Sequence, residues 1–96
     1  MVNIIANLNK AFDSRIRLGI MSILMVNDSA DFSTIKELLE LTDGNLASHI
    51  KALEGLDYIR SSKQFIDRKP NTNYMVTELG RHSFREHLNA LENLIK

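Results

Sequence analysis

Ser33-Thr-Ile-Lys-Glu-Leu-Leu-Glu-Leu-Thr-Asp-Gly-Asn-Leu-Ala-Ser-His-Ile-Lys-Ala-Leu-Glu-Gly-Leu56 is the stretch that decides the fold. Ser33 is placed to cap a helix over residues 34–41, with Ile35, Leu38 and Leu39 turned inward and Lys36, Glu37 and Glu40 outward. Thr42-Asp43-Gly44 then breaks the chain and restarts it. Thr42 as N-cap, with Asp43 at the positive end of the helix dipole, opens a second helix running to about Gly55. Leu46, Ile50, Leu53 and Leu56 recur at i, i+4, i+7 and i+10 and predict its buried stripe. The same period turns Asn45, Ser48, His49, Lys51 and Ala52 outward.

Downstream, residues 58–66 and 73–77 have strand composition, and the polar middle of the first suits an exposed hairpin. Asp67 to Thr72 is read as the loop, with the single proline, Pro70, at its tip. Thr77 can cap a final helix from Glu78 to near Lys96, with Leu79, Phe84, Leu88, Leu91 and Ile95 along one side. Upstream, Asp13-Ser14 is a capping signal for a helix over residues 14–26. Ile16, Ile20, Ile23 and Leu24 occupy one face of it, and Leu18, Met21 and Met25 make the others apolar too. Residues 27–31 are turn chemistry and Phe32 suits a short strand topping the hairpin. Before these, Ile4, Ile5, Leu8 and Phe12 line one side of an expected short opening helix, with Asn3, Asn7, Asn9 and Lys10 on the other.

The order is a mainly α chain with a small β-hairpin wing, an α+β winged helix-turn-helix with about five helices and two to three short strands. At 96 residues it is expected to be a single domain, 1–96, with one modest core. Its 44% hydrophobic and 25% charged residues are those of a folding globular chain, not a disordered tail. No apolar run approaches the roughly 18 residues needed to cross a bilayer, and nothing resembles a cleavable signal, so a cytoplasmic protein is expected. The absence of cysteine excludes disulfides, thiolate metal sites and thiol catalysis.

Zero formal net charge argues against a protein that coats DNA indiscriminately, because phosphate neutralisation needs surplus Lys and Arg. The charge is unevenly spread. Residues 58–74 carry Arg60, Lys63, Arg68 and Lys69 against Asp67 alone. Residues 31–57 carry only Lys36 and Lys51 against Asp31, Glu37, Glu40, Asp43, Glu54 and Asp57.

Three stretches carry a family resemblance: Phe12-Asp-Ser-Arg-Ile-Arg-Leu-Gly-Ile-Met21, Leu46-Ala-Ser-His-Ile-Lys-Ala-Leu-Glu54 and Tyr74-Met-Val-Thr-Glu-Leu-Gly-Arg81. In this order and spacing the chain resembles the winged-helix transcriptional regulators of the multiple-antibiotic-resistance (MarR) and arsenical-resistance (ArsR) types, in their short single-domain branch. The resemblance covers essentially the whole chain. It implies a sequence-specific, double-stranded-DNA-binding regulator, with the second helix of the motif in the major groove and the wing on the backbone or minor groove. Position by position, it implies base-facing roles for Asn45, Ser48 and His49 and phosphate contacts for Lys51, Thr34 and Thr42. Arg68 and Lys69 match the basic wing tip. Relatives often carry Arg in the recognition helix, and this chain has none there.

The apolar stripes of the terminal helices, residues 3–12 and 78–95, exceed what a small core can cover, which predicts a homodimer closed by those helices. A cleft beside them has room for a small apolar effector, which no residue identifies. His82 and His87 lie about 140° apart on one helix and cannot both ligate one ion from it, so no metal or cofactor is expected. No nucleophile–base pair, Gly-rich phosphate loop or HExxH occurs, which argues against an enzyme. The acidic helix-turn-helix keeps an alternative open: a protein–protein interaction module without DNA binding.

Overall fold

The computed structural model describes residues 3–96. A 3-10 turn at Lys10–Phe12 leads into α1 (Arg15–Met25), β1 (Ala30–Asp31), α2 (Phe32–Leu39), α3 (Asp43–Gly55), β2 (Ile59–Ile66), β3 (Lys69–Val76) and α4 (Glu78–Asn93). The sheet has the order β1-β3-β2 and is antiparallel throughout. Helix α1 lies at the centre, with Ile20, Met21 and Leu24 fully buried against Ile35, Leu46 and Leu53 of α2 and α3. Its all-round apolar composition is therefore used by the core of a single chain.

Caps fix three helix starts where the sequence expects them. Ser14, Thr42 and Thr77 each accept a backbone N–H with the side-chain oxygen, from Arg17, Asn45 and Gly80. Helix α2 differs. Its N-cap is Asp31, whose carboxylate accepts the Thr34 N–H at 2.8 Å, so the helix starts at Phe32 and Ser33 is an exposed first-turn residue. Phe32 is accordingly helical, and the short strand lies just before it, pairing Ala30 with Tyr74 and Asp31 with Asn73. The helix also ends earlier, at a left-handed Glu40 (φ 52°), where the Leu41 N–H reaches back to the Lys36 carbonyl. In this frame Ile35 is buried but Leu38 is 62% exposed, against the expected inward position.

The opening segment does not form the expected α-helix. Residues 4–8 make isolated turns, with N–H groups of Ala6 and Leu8 donating three residues back, followed by the 3-10 turn. Asparagine side chains compete with helical hydrogen bonds here: Asn3 accepts the Ile5 N–H and Asn9 accepts the Ala11 N–H. Asn9 also donates its side chain to the Tyr58 hydroxyl and its backbone N–H to Nδ1 of His87. Phe12 then enters the core, with its ring 5.5 Å from Tyr58 and 5.2 Å from both Phe84 and His87. Tertiary anchoring replaces helix propagation, which a ten-residue segment would support poorly by itself.

Helix α4 turns a different face inward than its leucine stripe suggests. Gly80, Phe84, His87 and Ala90 are buried, while Leu79, Leu88, Leu91 and Ile95 are exposed. Gly80 is required by close approach, because a Cβ there would overlap the Tyr58 backbone carbonyl. That contact, with the Thr77 N–H and hydroxyl both on the Tyr58 carbonyl, locks the helix start to the base of the hairpin.

Candidate nucleic-acid interface

Helix α3 buries Leu46, Ile50 and Leu53 and exposes Asn45, Ser48 and Lys51. At about 100° per residue Asn45, Ser48 and Ala52 share one side, and Glu54 lies about 180° from Asn45. The Glu54 carboxylate is thus kept off their face. Leu56 is the C-cap and is 45% exposed, so the buried stripe ends one member earlier than expected. The Thr42 hydroxyl accepts the Asn45 N–H at 3.2 Å and keeps its own proton free to donate.

His49 occupies a half-buried position between the exposed face and the core. Arg17 of α1 donates from Nε to His49 Nδ1 at 3.1 Å and from Nη1 to the Ala11 carbonyl at 3.4 Å. Sequence reading did not single out Arg17. Its position on α1 gives no signal, because the contact joins residues 32 apart.

Acidity around the motif is partly neutralised. Lys36 of α2 pairs with Asp43 at 2.7 Å, which places a cation beside the carboxylate at the start of α3. Both groups are well exposed, so the pair contributes at most about 1 kcal/mol to stability, but it offsets a charge that would repel phosphate. Asp31 is used as a cap, and hydrogen bonds from the Thr34 hydroxyl and backbone N–H hold its carboxyl below the ordinary aspartate range. Thr34 is exposed in the third position of α2, and its backbone N–H is committed to Asp31 rather than open to a phosphate. Glu37, Glu40, Glu54 and Asp57 remain exposed.

The wing is longer and its tip tighter than the sequence suggests. Strands β2 and β3 pair over their full lengths, from Ile59 with Val76 to Ile66 with Lys69, so the connection is the two residues Asp67 and Arg68. Both have positive φ, 51° and 65°, the signature of a type I′ hairpin turn. Pro70 is therefore a strand residue paired with Phe65, not the loop tip. Ile66 and Lys69 close the hairpin as a hydrogen-bonded pair, so the alternation makes Phe65 and Pro70 a non-hydrogen-bonded one. Strand β1 reaches only Asn73 and Tyr74, leaving β3 an open edge at Pro70, where a missing N–H costs no ladder bond. Arg68 sits in the turn, Lys69 begins β3, and everything from Arg60 to Pro70 is exposed. From Asn73 the tip projects about 17 Å. Phe65, at 78% exposure, and Ile66 add apolar surface to this cationic tip. Neither was singled out, because strand composition does not distinguish a core strand from a projecting one.

Elsewhere, His82 is exposed, 3.9 Å from Glu86, whereas His87 is buried. Among the described residues no group of three or more His, Asp or Glu could hold a metal ion. No helix among them is long and apolar enough to cross a membrane. A shallow depression of about 340 Å³ is lined by Arg15, Ile16 and Leu39.

A capped, polar-faced second helix beside a projecting antiparallel ribbon defines the winged helix-turn-helix class of DNA-binding domains. The chain belongs to the winged helix DNA-binding domain family, whose model matches residues 16–95. It is 33% identical over 87 residues to an uncharacterized protein of Methanocaldococcus jannaschii, MJ0432, covering 91% of this chain and 95% of that one. A solved transcriptional regulator homologue from Pyrococcus horikoshii OT3 is 36% identical, with 90% of each chain covered and a TM-score of 0.77. Reduced AbfR, solved bound to DNA, shares the fold at 16% identity and a TM-score of 0.77, over 94% of this chain and 64% of its own.

Proposed function

We propose that this protein is a homodimeric, sequence-specific double-stranded-DNA-binding transcriptional regulator, built as one domain over residues 1–96. Helix α3 enters the major groove with Asn45, Ser48 and His49 at base edges, and Lys51, Thr34 and Thr42 hold phosphates. For Thr34 the contact requires the hydroxyl to exchange the Asp31 carboxylate for a phosphate, since its backbone N–H is committed to the Asp31 cap. Arg68 and Lys69 carry the wing onto the backbone or into the minor groove. The observation that carries this reading is the exposure of Asn45, Ser48 and Lys51 on a capped helix, in a chain whose cationic hairpin projects free of the core. DNA-bound AbfR, with the same fold, supports it.

Exposed Leu79, Leu88 and Leu91 on α4 and Ile95 just beyond it, with Ile4 and Ile5 of the opening segment, support a dimer surface. Phe12 belongs to the core instead, so the N-terminal contribution comes from the turns before it. Two copies would double the wings and set two recognition helices about 34 Å apart, one DNA turn. An effector-gated form, with a small apolar ligand between the terminal segments and the helix-turn-helix, is a refinement of this reading.

Selection of bound duplexes from a random pool tests the reading. The expected result is an enriched inverted repeat with half-sites about one turn apart. Failure to enrich any sequence, together with binding that ignores salt, would leave the protein-interaction module, with Glu37, Glu40, Glu54 and Asp57 facing a basic partner.

A further inference from the structure

The recognition helix contains no arginine, yet one guanidinium reaches it from α1. Arg17 is held at three points: its N–H by the Ser14 cap, Nη1 by the Ala11 carbonyl and Nε by His49 Nδ1. No carboxylate pairs with it among the described residues. A hydrogen bond from Arg17 Nε requires His49 Nδ1 to be the acceptor, because an arginine has no acceptor to offer in return. In the neutral imidazole the proton then sits on Nε2, the far side of the ring from Arg17. Nε2 has no hydrogen-bond partner among the described residues. His49 follows Asn45 by one helical turn, about 40° round towards the core, so its ring emerges beside the Asn45 amide.

We infer that Arg17 is a specificity-setting positioning residue: by occupying Nδ1 it fixes His49 as a hydrogen-bond donor, which selects an acceptor in the major groove, a purine N7, guanine O6 or thymine O4. This deepens the proposed DNA-binding function and rests on it. An imidazole free to change tautomer presents either a donor or an acceptor, and so accepts base edges of both kinds. One fixed as donor rejects the exocyclic amino groups of adenine and cytosine, which are donors themselves. The asparagine one turn earlier, carrying both kinds of group, does not need such a device.

Two measurements on the full-length protein test the assignment. Nitrogen-15 correlation spectra of the imidazoles report the tautomer without DNA: His49 is expected protonated on Nε2 in the wild type and mixed in Arg17→Ala. A wild-type ring protonated on Nδ1 would overturn the inference whatever the DNA result. Duplex selection with wild type, R17A, H49A and the double variant is the second. R17A and H49A are each expected to relax the preference at the same base pair of the half-site by about fivefold, with no further relaxation in the double variant. Arg17→Met keeps most of the stem but carries no donor for His49 Nδ1, so it serves where R17A folds poorly. A uniform loss on all duplexes with the base preference intact would make Arg17 a packing or charge residue and sink the inference. If the wild type itself enriches nothing, the DNA-binding reading fails first, a result distinct from wild type and R17A selecting the same sequence.

Discussion

Single residues carry more of this fold than their number suggests, because several hold two elements at once. Asn9 ties the opening segment to the residue preceding β2 and to α4 through Tyr58 and His87, and Thr77 caps α4 while bonding the Asp57 and Tyr58 carbonyls. Thr42 acts more locally. Replacing it by alanine leaves the Asn45 N–H unsatisfied at the start of α3 and should cost about 1 kcal/mol in urea unfolding, with serine restoring most of it. Asp31 adds a pH dependence whose sign is fixed by its hydrogen bonds. Since Thr34 holds the folded-state carboxyl below its ordinary value, the stabilisation is present above the unfolded aspartate pKa and is lost as pH falls through the folded one. Asparagine also caps well but cannot ionise, so the urea-midpoint gap between wild type and Asp31→Asn should narrow between neutral pH and about pH 3. A gap that stays constant across that range would show that the charge is irrelevant.

Elements differ in what their neighbours demand of them. Helix α3 is specified almost entirely by itself: a cap, a dipole-matched acidic residue and a three-residue buried stripe. The wing is specified by pairing, and its positive-φ turn places Arg68 exposed at the apex. A division of labour follows under the proposed function. Arg68→Ala with Lys69→Ala should weaken binding to every duplex and lower the salt slope by about two, one for each lost phosphate contact. Asn45→Ala should instead change which sequences are preferred, by roughly 1–3 kcal/mol at one base pair, while leaving the salt slope in place. Fluorescence anisotropy at several salt concentrations measures both. Equal losses on all sequences from both sets of changes would refute the separation.

At the scale of the whole molecule, 58 Å long and little more than 20 Å across, too little interior exists to cover both ends of the chain. The core takes one face of α4 and leaves the other, with Leu88 at 43% and Leu91 at 39% exposure, in solvent. Covering that face by a second copy is the expected outcome, and sedimentation at micromolar concentration should give a dimer. Leu91→Asp should shift it to monomer without unfolding it, since this residue is outside the core, and should reduce selectivity for paired half-sites. A wild-type monomer would remove the two-fold arrangement and leave single half-site binding.

The residues themselves determined whatever rests on neighbours in the chain. Ser14, Thr42 and Thr77 cap helices because a side-chain oxygen reaches an N–H three residues on, and the stripe Leu46, Ile50, Leu53 follows from helical period alone. Tertiary structure decided the rest, where partners distant in sequence outcompete local preference. Asn9 and Phe12 give up a helix to reach His87 and Tyr58, and Pro70 enters a strand because β1 stops short of it. His49 has one ring nitrogen claimed by an arginine on another helix, although nothing in its own helix predicts it. Local hydrogen bonds are written in short-range spacing, whereas the face an element buries depends on which others arrive against it.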